Sequence, residues 1–415
     1  MRPGSLQVDV MDEIRPVAGP RIALVLPGGG ARSAYQVGVL KAIAAWYPPG
    51  APLPFRLLVG TSAGSILAAV LASYASRFRR GTLALDRVWR NFHVDHVFST
   101  DLRSMLGAGA QLMLALASGG LLLPSPRSLF NNAPLRRLLE WSVNFARIRQ
   151  ALDAGLLDAL AVTATSFASG ESVSFVDARH PVEAWEGAGR RVVAAELGLD
   201  HLMASAAIPF LFPPVSMAGS HFGDGAMRQI TPLSPAVHLG ARRILAVSTR
   251  HRPQGGRTQA AMIDGYPPPA QIAGSLLNAL FLDLFDGDAL RLERINELLG
   301  AGSQQRDVRR IELLLLRPSR DLGALANAYE PRLPRAFRFL TRGLGTRETR
   351  SNDLLSLIMF QHDYLRELIE LGRADALERI DEVLAFVGGD AVAASGENAE
   401  RRPDADGVAR RGPGG

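Results

Sequence analysis

The stretch that decides the fold reads Val-Gly-Thr-Ser-Ala-Gly-Ser-Ile and occupies residues 59–66. Apolar residues run into it like a short buried strand, and an apolar run over residues 66–72 leaves it like a buried helix. Between the two lies Gly-x-Ser-x-Gly, the pattern of a nucleophile elbow, in which a serine occupies a strained turn between a strand and a helix. The pattern predicts Ser62 as a nucleophile, with Gly60 and Gly64 leaving room for the chain to double back.

A second glycine-rich turn lies upstream of the elbow. Residues 21–26 form an apolar, β-branched run that is typical of a buried parallel strand, and they lead into Gly28, Gly29 and Gly30. A helix is predicted over residues 34–46, before the next strand begins. This order of strands, loops and helices predicts a right-handed crossover and a largely parallel sheet that helices cover.

The glycine-rich turn is suited to binding an anion, because it presents backbone N–H groups at the start of a helix. The anion is either a bound phosphate or the transient oxyanion of acyl transfer. A dinucleotide-binding loop has a third glycine where Ser33 stands, and an acidic residue at the end of the next strand, where residues 55–59 contain none. A P-loop requires Gly-Lys-Ser or Gly-Lys-Thr, which the sequence lacks. The residues therefore favour an oxyanion hole.

A carboxylate flanked by glycines follows much later in the chain. Asp224 lies in the sequence Gly-Asp-Gly-Ala, residues 223–226, after a short strand-like run. An isolated Asp-Gly pair is more often a simple turn than a catalytic site, so this segment alone assigns no function.

Three elements in chain order resemble the patatin-like phospholipases. They are the glycine loop with its arginine (residues 28–32), the elbow (residues 60–64) and the Asp-Gly-Ala tripeptide (residues 224–226). The Ala-Ser-Ala-Ala-Ile-Pro segment over residues 204–209 and the Pro-Leu-Ser-Pro segment over residues 232–235 resemble the family as well. The resemblance covers residues 20 to 250, and three ordered motifs together are specific.

The resemblance implies a three-layer α/β/α fold with a mostly parallel central sheet, extended by C-terminal helices. It further implies hydrolysis of lipid esters by a Ser–Asp dyad, without a metal or a cofactor. Ser62 would be the nucleophile and Asp224 the base. The oxyanion loop would consist of Gly28, Gly29 and Gly30, with Arg32 steadying it. Ser33 departs from the family, where many members carry glycine.

The amino-acid composition limits the kinds of partner that the protein is expected to bind. The chain of 415 residues has 46 Lys and Arg against 40 Asp and Glu, a formal net charge of +6, and Lys41 is its one lysine. The arginines are scattered without interleaved aromatic residues, which disfavours nucleic-acid binding and leaves a weak attraction to anionic membrane surfaces. The chain has no cysteine and hence no disulfide or thiolate metal site. The expected partners are a phospholipid or other lipid ester and, transiently, a membrane surface; nothing predicts the oligomeric state.

The sequence predicts one large domain. Residues 1–20 form a flexible arm without the apolar run of a signal peptide, which predicts a cytoplasmic protein and leaves peripheral attachment to a membrane open. Residues 21–388 form the α/β domain, with helices from about residue 330 onwards. Residues 389–415 are rich in glycine, alanine, arginine and proline, with two valines as their only large aliphatic side chains, and they are expected to be a disordered tail.

One long uncharged segment admits several structures. Residues 105–123 contain no charged side chain, and nineteen residues are just enough to span a bilayer. Four glycines weaken a helix there, so a buried helix or a membrane-facing flap is favoured over a transmembrane span.

Two alternatives to a dyad hydrolase remain open. One is an esterase or thioesterase of the α/β-hydrolase type, in which a histidine after Asp224 completes a triad; the candidates are His238, His251 and His362, and none is placed obviously for that role. The other is a regulatory lipid- or nucleotide-binding protein that keeps the fold without turnover. The eight histidines show no metal-ligand spacing.

Overall fold

The computed structural model describes residues 21–93, 130–187, 189–251, 284–299, 309–333 and 352–388, and the separate residues 111, 114, 118, 121, 128, 272, 274–276 and 338. The strands in this part are β1 (Ile22–Leu26), β2 (Leu57–Thr61), β3 (Ala159–Ser166), β4 (Ser172–Ala178), β5 (Trp185–Gly187), β6 (Arg190–Ala194), β7 (Val215–Met217), β8 (Ser220–Asp224), β9 (Arg243–Val247) and β10 (Glu312–Leu316).

The α-helices of the described part are α1 (Ala34–Ala45), α2 (Ala63–Ser73), α3 (Phe78–Arg90), α4 (Ala133–Ser142), α5 (Phe145–Asp153), α6 (Leu199–Ser205), α7 (Ser234–His238), α8 (Leu284–Leu299), α9 (Leu322–Tyr329), α10 (Asp353–Ile358), α11 (His362–Glu378) and α12 (Ile380–Gly388).

All the described strands belong to one sheet, whose order is β10-β9-β1-β2-β3-β4-β6-β5. The five strands from β10 to β3 run parallel, whereas β4 and β8 pair antiparallel with β3. Strand β7 pairs antiparallel with β8 at the margin. The sheet is thus largely parallel.

Both faces of the sheet are buried, which explains why its central strands read as continuous apolar runs. Successive side chains of β1 point to opposite faces. Leu24 and Leu26 pack in the core that includes α1 and α2, whereas Ala23 and Val25 pack in the core that includes α7 and α8. Helices on each face of a mostly parallel sheet make three layers, and the predicted fold class is confirmed.

The C-terminal helices are part of this core. Helix α11 packs against α1 so closely that a methyl group placed on Gly38 would lie 2.0 Å from the carbonyl oxygen of Ile369. Similarly, a methyl group placed on Gly372 of α11 would lie 2.1 Å from the carbonyl oxygen of Tyr35 in α1. The predicted helices beyond residue 330 are therefore present, and they cover the first helix of the fold.

Several predictions fall on residues outside the described part. These are the arm over residues 1–20, the tail over residues 389–415 and most of the uncharged segment over residues 105–123. Within that segment the side chains of Leu114 and Leu121 are exposed. Among the described residues, no helix is long and apolar enough to cross a membrane.

Candidate active site

The elbow holds its serine in a strained backbone conformation. Strand β2 ends at Thr61 and α2 begins at Ala63, so Ser62 alone makes the turn, with φ 54° and ψ −130°. A residue with a side chain rarely adopts a positive φ, and such strain persists only where the surrounding structure enforces it. Here the crowding is evident at Gly64, where a methyl group would lie 2.0 Å from the carbonyl oxygen of Leu26. Gly60 is equally constrained, because a methyl group placed on it would lie 2.5 Å from the Cα atom of Ser65.

The register of the sheet brings Asp224 to this serine. Thr61 pairs with Thr163 in β3, and Ala164 of β3 pairs with Asp224 at the end of β8. The Ser62 hydroxyl donates a hydrogen bond of 2.5 Å to Asp224 Oδ2. The other carboxylate oxygen, Oδ1, accepts the backbone N–H of Ala226 at 2.9 Å. The two residues that the sequence singled out as nucleophile and base are therefore in direct contact.

Burial makes Asp224 a better proton acceptor than an exposed aspartate. Its side chain is fully buried, and this loss of solvation raises the pKa of the carboxyl from 3.8 to about 7. The hydrogen bonds from Ser62 and Ala226 act in the opposite direction and lower the pKa, but burial has the larger effect. A carboxylate with a pKa near 7 is half ionised at neutral pH and binds a proton readily.

The glycine loop lies against the same serine. A methyl group on Gly28 would lie 2.9 Å from the Cβ atom of Ser62. Gln36 connects the start of the loop to strand β9. Its buried amide donates to the carbonyl oxygens of Pro27 at 3.0 Å and Val247 at 2.9 Å. Thr249 adds a hydrogen bond of 3.3 Å to the carbonyl oxygen of Gly28.

Gly29, Gly30 and Arg32 continue the loop. Gly29 has no room for a side chain, because a methyl group would lie 2.8 Å from Thr249 Oγ1. Gly30 has φ 51° and opens a 3-10 turn that runs to Ser33. Arg32 is buried in this turn, and its guanidinium binds residues of α10, with no hydrogen bond to Ser62 or Asp224 among the described contacts.

Several supporting residues were not predicted from the sequence. The hydroxyl of Ser205, at the end of α6, accepts the backbone N–H of Ser62 at 2.9 Å and donates to the carbonyl oxygen of Thr163 at 2.6 Å. Thr165 donates to the carbonyl oxygen of Asp224 at 2.8 Å. Ser205 lies in the Ala-Ser-Ala-Ala segment that supported the resemblance, but nothing in that segment indicated which backbone group its hydroxyl binds.

An apolar cavity opens beside Ser62. Its walls come from α2, α3, α4, the segment after α6 and the segment that ends α10, and almost all of the lining is hydrocarbon. The lining residues include Gly30, Ser62, Ala63, Ile66, Val70, Leu85, Val88, Trp89, Phe130, Leu138, Leu139, Ile208, Phe212, Ile358 and Phe360. An apolar group could lie here with one end at the serine hydroxyl.

Among the described contacts, none joins a candidate third residue of a triad to Ser62 or Asp224. His221 is exposed on β8, the ring of His238 packs on Trp185, and His251 hydrogen-bonds the carbonyl oxygen of Pro318. His362 hydrogen-bonds Asp363. Within the described residues, no group of three or more histidines and carboxylates is arranged to hold a metal ion.

The fold and the site together describe a largely parallel α/β protein with a buried serine–aspartate pair at the carboxyl ends of two of its strands. Residues 24–237, just over half of the chain, match the family model of the patatin-like phospholipases. The chain belongs to the patatin-like phospholipase family.

The solved structures that match the chain are distant in sequence. VipD from Legionella pneumophila is 12% identical, with a TM-score of 0.33, over 88% of this chain and 67% of the VipD chain. Human GIVD cytosolic phospholipase A2 in complex with methyl γ-linolenyl fluorophosphonate is 13% identical, with a TM-score of 0.39, over 89% of this chain and 58% of the human chain. The match thus spans less than two thirds of the human enzyme. No curated protein sequence matches the chain significantly.

Proposed function

We propose that this protein is a serine lipid acyl hydrolase, of the phospholipase A or lysophospholipase type, that works through a Ser62–Asp224 dyad. The observation that carries the proposal is the 2.5 Å hydrogen bond from the Ser62 hydroxyl to a fully buried carboxylate. Ser62 Oγ forms a bond to the carbonyl carbon of the ester while its proton passes to Asp224. The proton then leaves with the alcohol when the ester bond breaks. Water releases the fatty acid in a second step, and Asp224 serves again as the base.

The negative charge that develops on the carbonyl oxygen needs donors that are already in place. The glycine loop contacts Ser62 through Gly28, and α2 directs the positive end of its dipole at the same position. Both features support an oxyanion hole at this loop. Arg32 belongs to it as a residue that steadies the loop.

The apolar cavity supports a lipid ester as the substrate. An acyl chain in this cavity would bring its carbonyl carbon to Ser62 while the polar head group stays at the entrance. A phospholipid or another lipid ester fits this description, and its extraction requires transient contact with a membrane surface. The proposed mechanism uses no cofactor.

We expect the activity to rise with pH around neutrality. Only the ionised form of Asp224 accepts a proton, and burial raises the pKa of this carboxyl to about 7. The value of kcat/KM on a soluble short-chain ester should therefore increase between pH 5 and pH 8, with a midpoint near 7, as measured by a pH–rate profile. Thermal unfolding at each pH serves as the control. A midpoint near 4 would contradict the assignment of Asp224 as a buried base.

We expect Val88 to limit the length of the acyl chain. Val88 lines the cavity from α3 and is half-buried, so the larger side chain of Val88→Trp should fill part of the cavity. The ratio of kcat/KM for a long-chain ester to that for a butyrate ester should fall by about tenfold. Leu83→Trp is the matched control, because Leu83 is exposed on the same helix and does not line the cavity. Equal losses on both esters would place the acyl chain elsewhere.

A fluorophosphonate probe and a panel of lipid esters test the proposal. An activated serine reacts covalently with the probe, whereas a lipid-binding regulator without turnover does not. We expect labelling of the wild-type protein and release of fatty acid from phospholipid vesicles. A folded protein that neither labels nor hydrolyses any ester of the panel would rule out the hydrolase.

A further inference from the structure

The guanidinium of Arg32 is held by α10. Arg32 is 2% exposed, and its Nη2 atom donates to the carboxylate of Asp353 at 2.5 Å and to the carbonyl oxygen of the same residue at 3.2 Å. Its Nε atom donates to the hydroxyl of Ser356 at 2.6 Å. Ser356 in turn donates to the carbonyl oxygen of Asp353 at 2.9 Å. Three hydrogen bonds thus fix one side chain of the glycine loop to one short helix.

The backbone of α10 also touches the loop directly. A methyl group on Gly30 would lie only 2.2 Å from the carbonyl oxygen of Leu357, so the peptide of Gly30 is packed against this helix. The residues that follow, Ile358 and Phe360, line the apolar cavity. Residues 353–360 therefore contact both the proposed oxyanion loop and the proposed acyl site, although they lie far beyond residues 24–237, which match the family model.

We propose that Asp353 and Ser356 are positioning residues of the active site. They orient Arg32, and through its 3-10 turn they orient the peptide groups of Gly29 and Gly30. An oxyanion hole depends on such orientation, because its donors must lie within hydrogen-bond distance of an atom that becomes charged only during the reaction. Displacement by about 1 Å can lower a rate by about a hundredfold. This inference rests on the proposed hydrolase function.

A purely stabilising role for the ion pair is a weaker explanation. The pair joins the buried Arg32 to the half-buried Asp353, and such a pair adds little net stability, because removing charges from water costs about as much as their attraction returns. Replacement of both partners with apolar side chains is often neutral for stability. The positioning role and the structural role can therefore be separated by a double variant that folds without the pair.

The experiment compares Ser356→Ala, Asp353→Asn and the double variant Arg32→Met/Asp353→Leu in the full chain. On a soluble short-chain ester we expect kcat to fall by about tenfold to a hundredfold in each variant, with KM within about threefold of the wild-type value. The rate of fluorophosphonate labelling should fall in parallel. The midpoint of the pH–rate profile should stay near that of the wild type, because none of these changes touches Asp224.

Asp363→Asn is the matched control. Asp363 forms an ion pair with Arg332 in the same C-terminal part of the chain and has no described contact with the glycine loop, so its variant should keep the wild-type kcat. A folded double variant with the wild-type kcat would overturn the proposal, as would Ser356→Ala with unchanged kcat and labelling rate. A wild-type protein that neither labels nor hydrolyses esters would refute the hydrolase function instead, so the two failures are distinguishable.

Discussion

Ser62→Ala is expected to abolish ester hydrolysis and fluorophosphonate labelling. In the proposed mechanism Ser62 Oγ forms the acyl–enzyme bond, and loss of a serine nucleophile lowers kcat by at least about 10⁴-fold. The substitution removes one oxygen and leaves the backbone contacts of the elbow in place, including the hydrogen bond from the Ser62 N–H to Ser205. The variant should therefore fold, which circular dichroism and thermal unfolding would verify.

Ser73→Ala is the matched control for this experiment. Ser73 is buried at the far end of α2, the helix that follows Ser62, and its hydroxyl donates to the carbonyl oxygen of Ala69. Both variants lose one buried hydroxyl, but only Ser62→Ala loses the proposed nucleophile. We expect normal labelling of Ser73→Ala. Substantial labelling of a folded Ser62→Ala protein would show that another residue carries the reaction.

The local parts of the site could be predicted from the sequence because each of them has a local signature. Strands β1 and β2 are continuous apolar runs, and the turns after them contain the glycines that close backbone approach demands. The strained conformation of Ser62 follows from the same glycines. The order of the elements then predicts a parallel sheet, and the carboxyl ends of neighbouring parallel strands meet at one edge of it.

The long-range partners could not be predicted in this way. Ser205 reaches Ser62 across 143 positions, and Ser356 reaches Arg32 across 324. A single serine on a helix carries no signal of which distant backbone or guanidinium group it will bind. The hydrophobic spacing of α10 and α11 predicts helices but not the surface they cover, since the helical period is the same whichever neighbour they pack on.

The raised pKa of Asp224 could not be predicted from the sequence either, because it depends on burial by distant parts of the chain. In the sequence Asp224 is an aspartate between two glycines, a context more typical of an exposed turn. The structure buries it completely, because β8 adds to the end of β3 and the residues after α6 cover it; the backbone N–H of Asp224 donates to the carbonyl oxygen of Ala207 at 2.8 Å. Tertiary packing therefore turns an ordinary carboxyl into one suited to act as a base.

Asp224→Asn is expected to lower kcat by a factor on the order of 10³ or more. Asparagine nearly matches aspartate in shape and can still accept the N–H of Ala226, but it cannot accept a proton from Ser62. Turnover of a soluble ester measures the loss. The variant also distinguishes loss of the base from loss of the fold. Its stability should rise while its activity falls.

The sign of that stability change follows from the raised pKa. The carboxyl titrates near 4 in the unfolded chain and at about 7 in the folded protein, so the folded state binds the proton more tightly. The contribution of Asp224 to stability then falls as pH rises from about 4 to 7 and stays constant above 7. Asparagine carries no charge at any pH. Asp224→Asn should therefore be more stable than the wild type at pH 8, by up to roughly 4 kcal/mol, and equal to it near pH 4.

Alanine substitutions of the histidines separate a dyad from a triad. His221, His238, His251 and His362 are the candidates for a hidden third residue, and none of them contacts Ser62 or Asp224 in the described part of the chain. Each substitution should lower kcat by less than about tenfold, because no catalytic proton passes through an imidazole in the dyad mechanism. If a folded histidine variant proved as inactive as Ser62→Ala, that histidine would be the base. Asp224 would then orient the imidazole, and the pH dependence of the reaction would belong to the histidine.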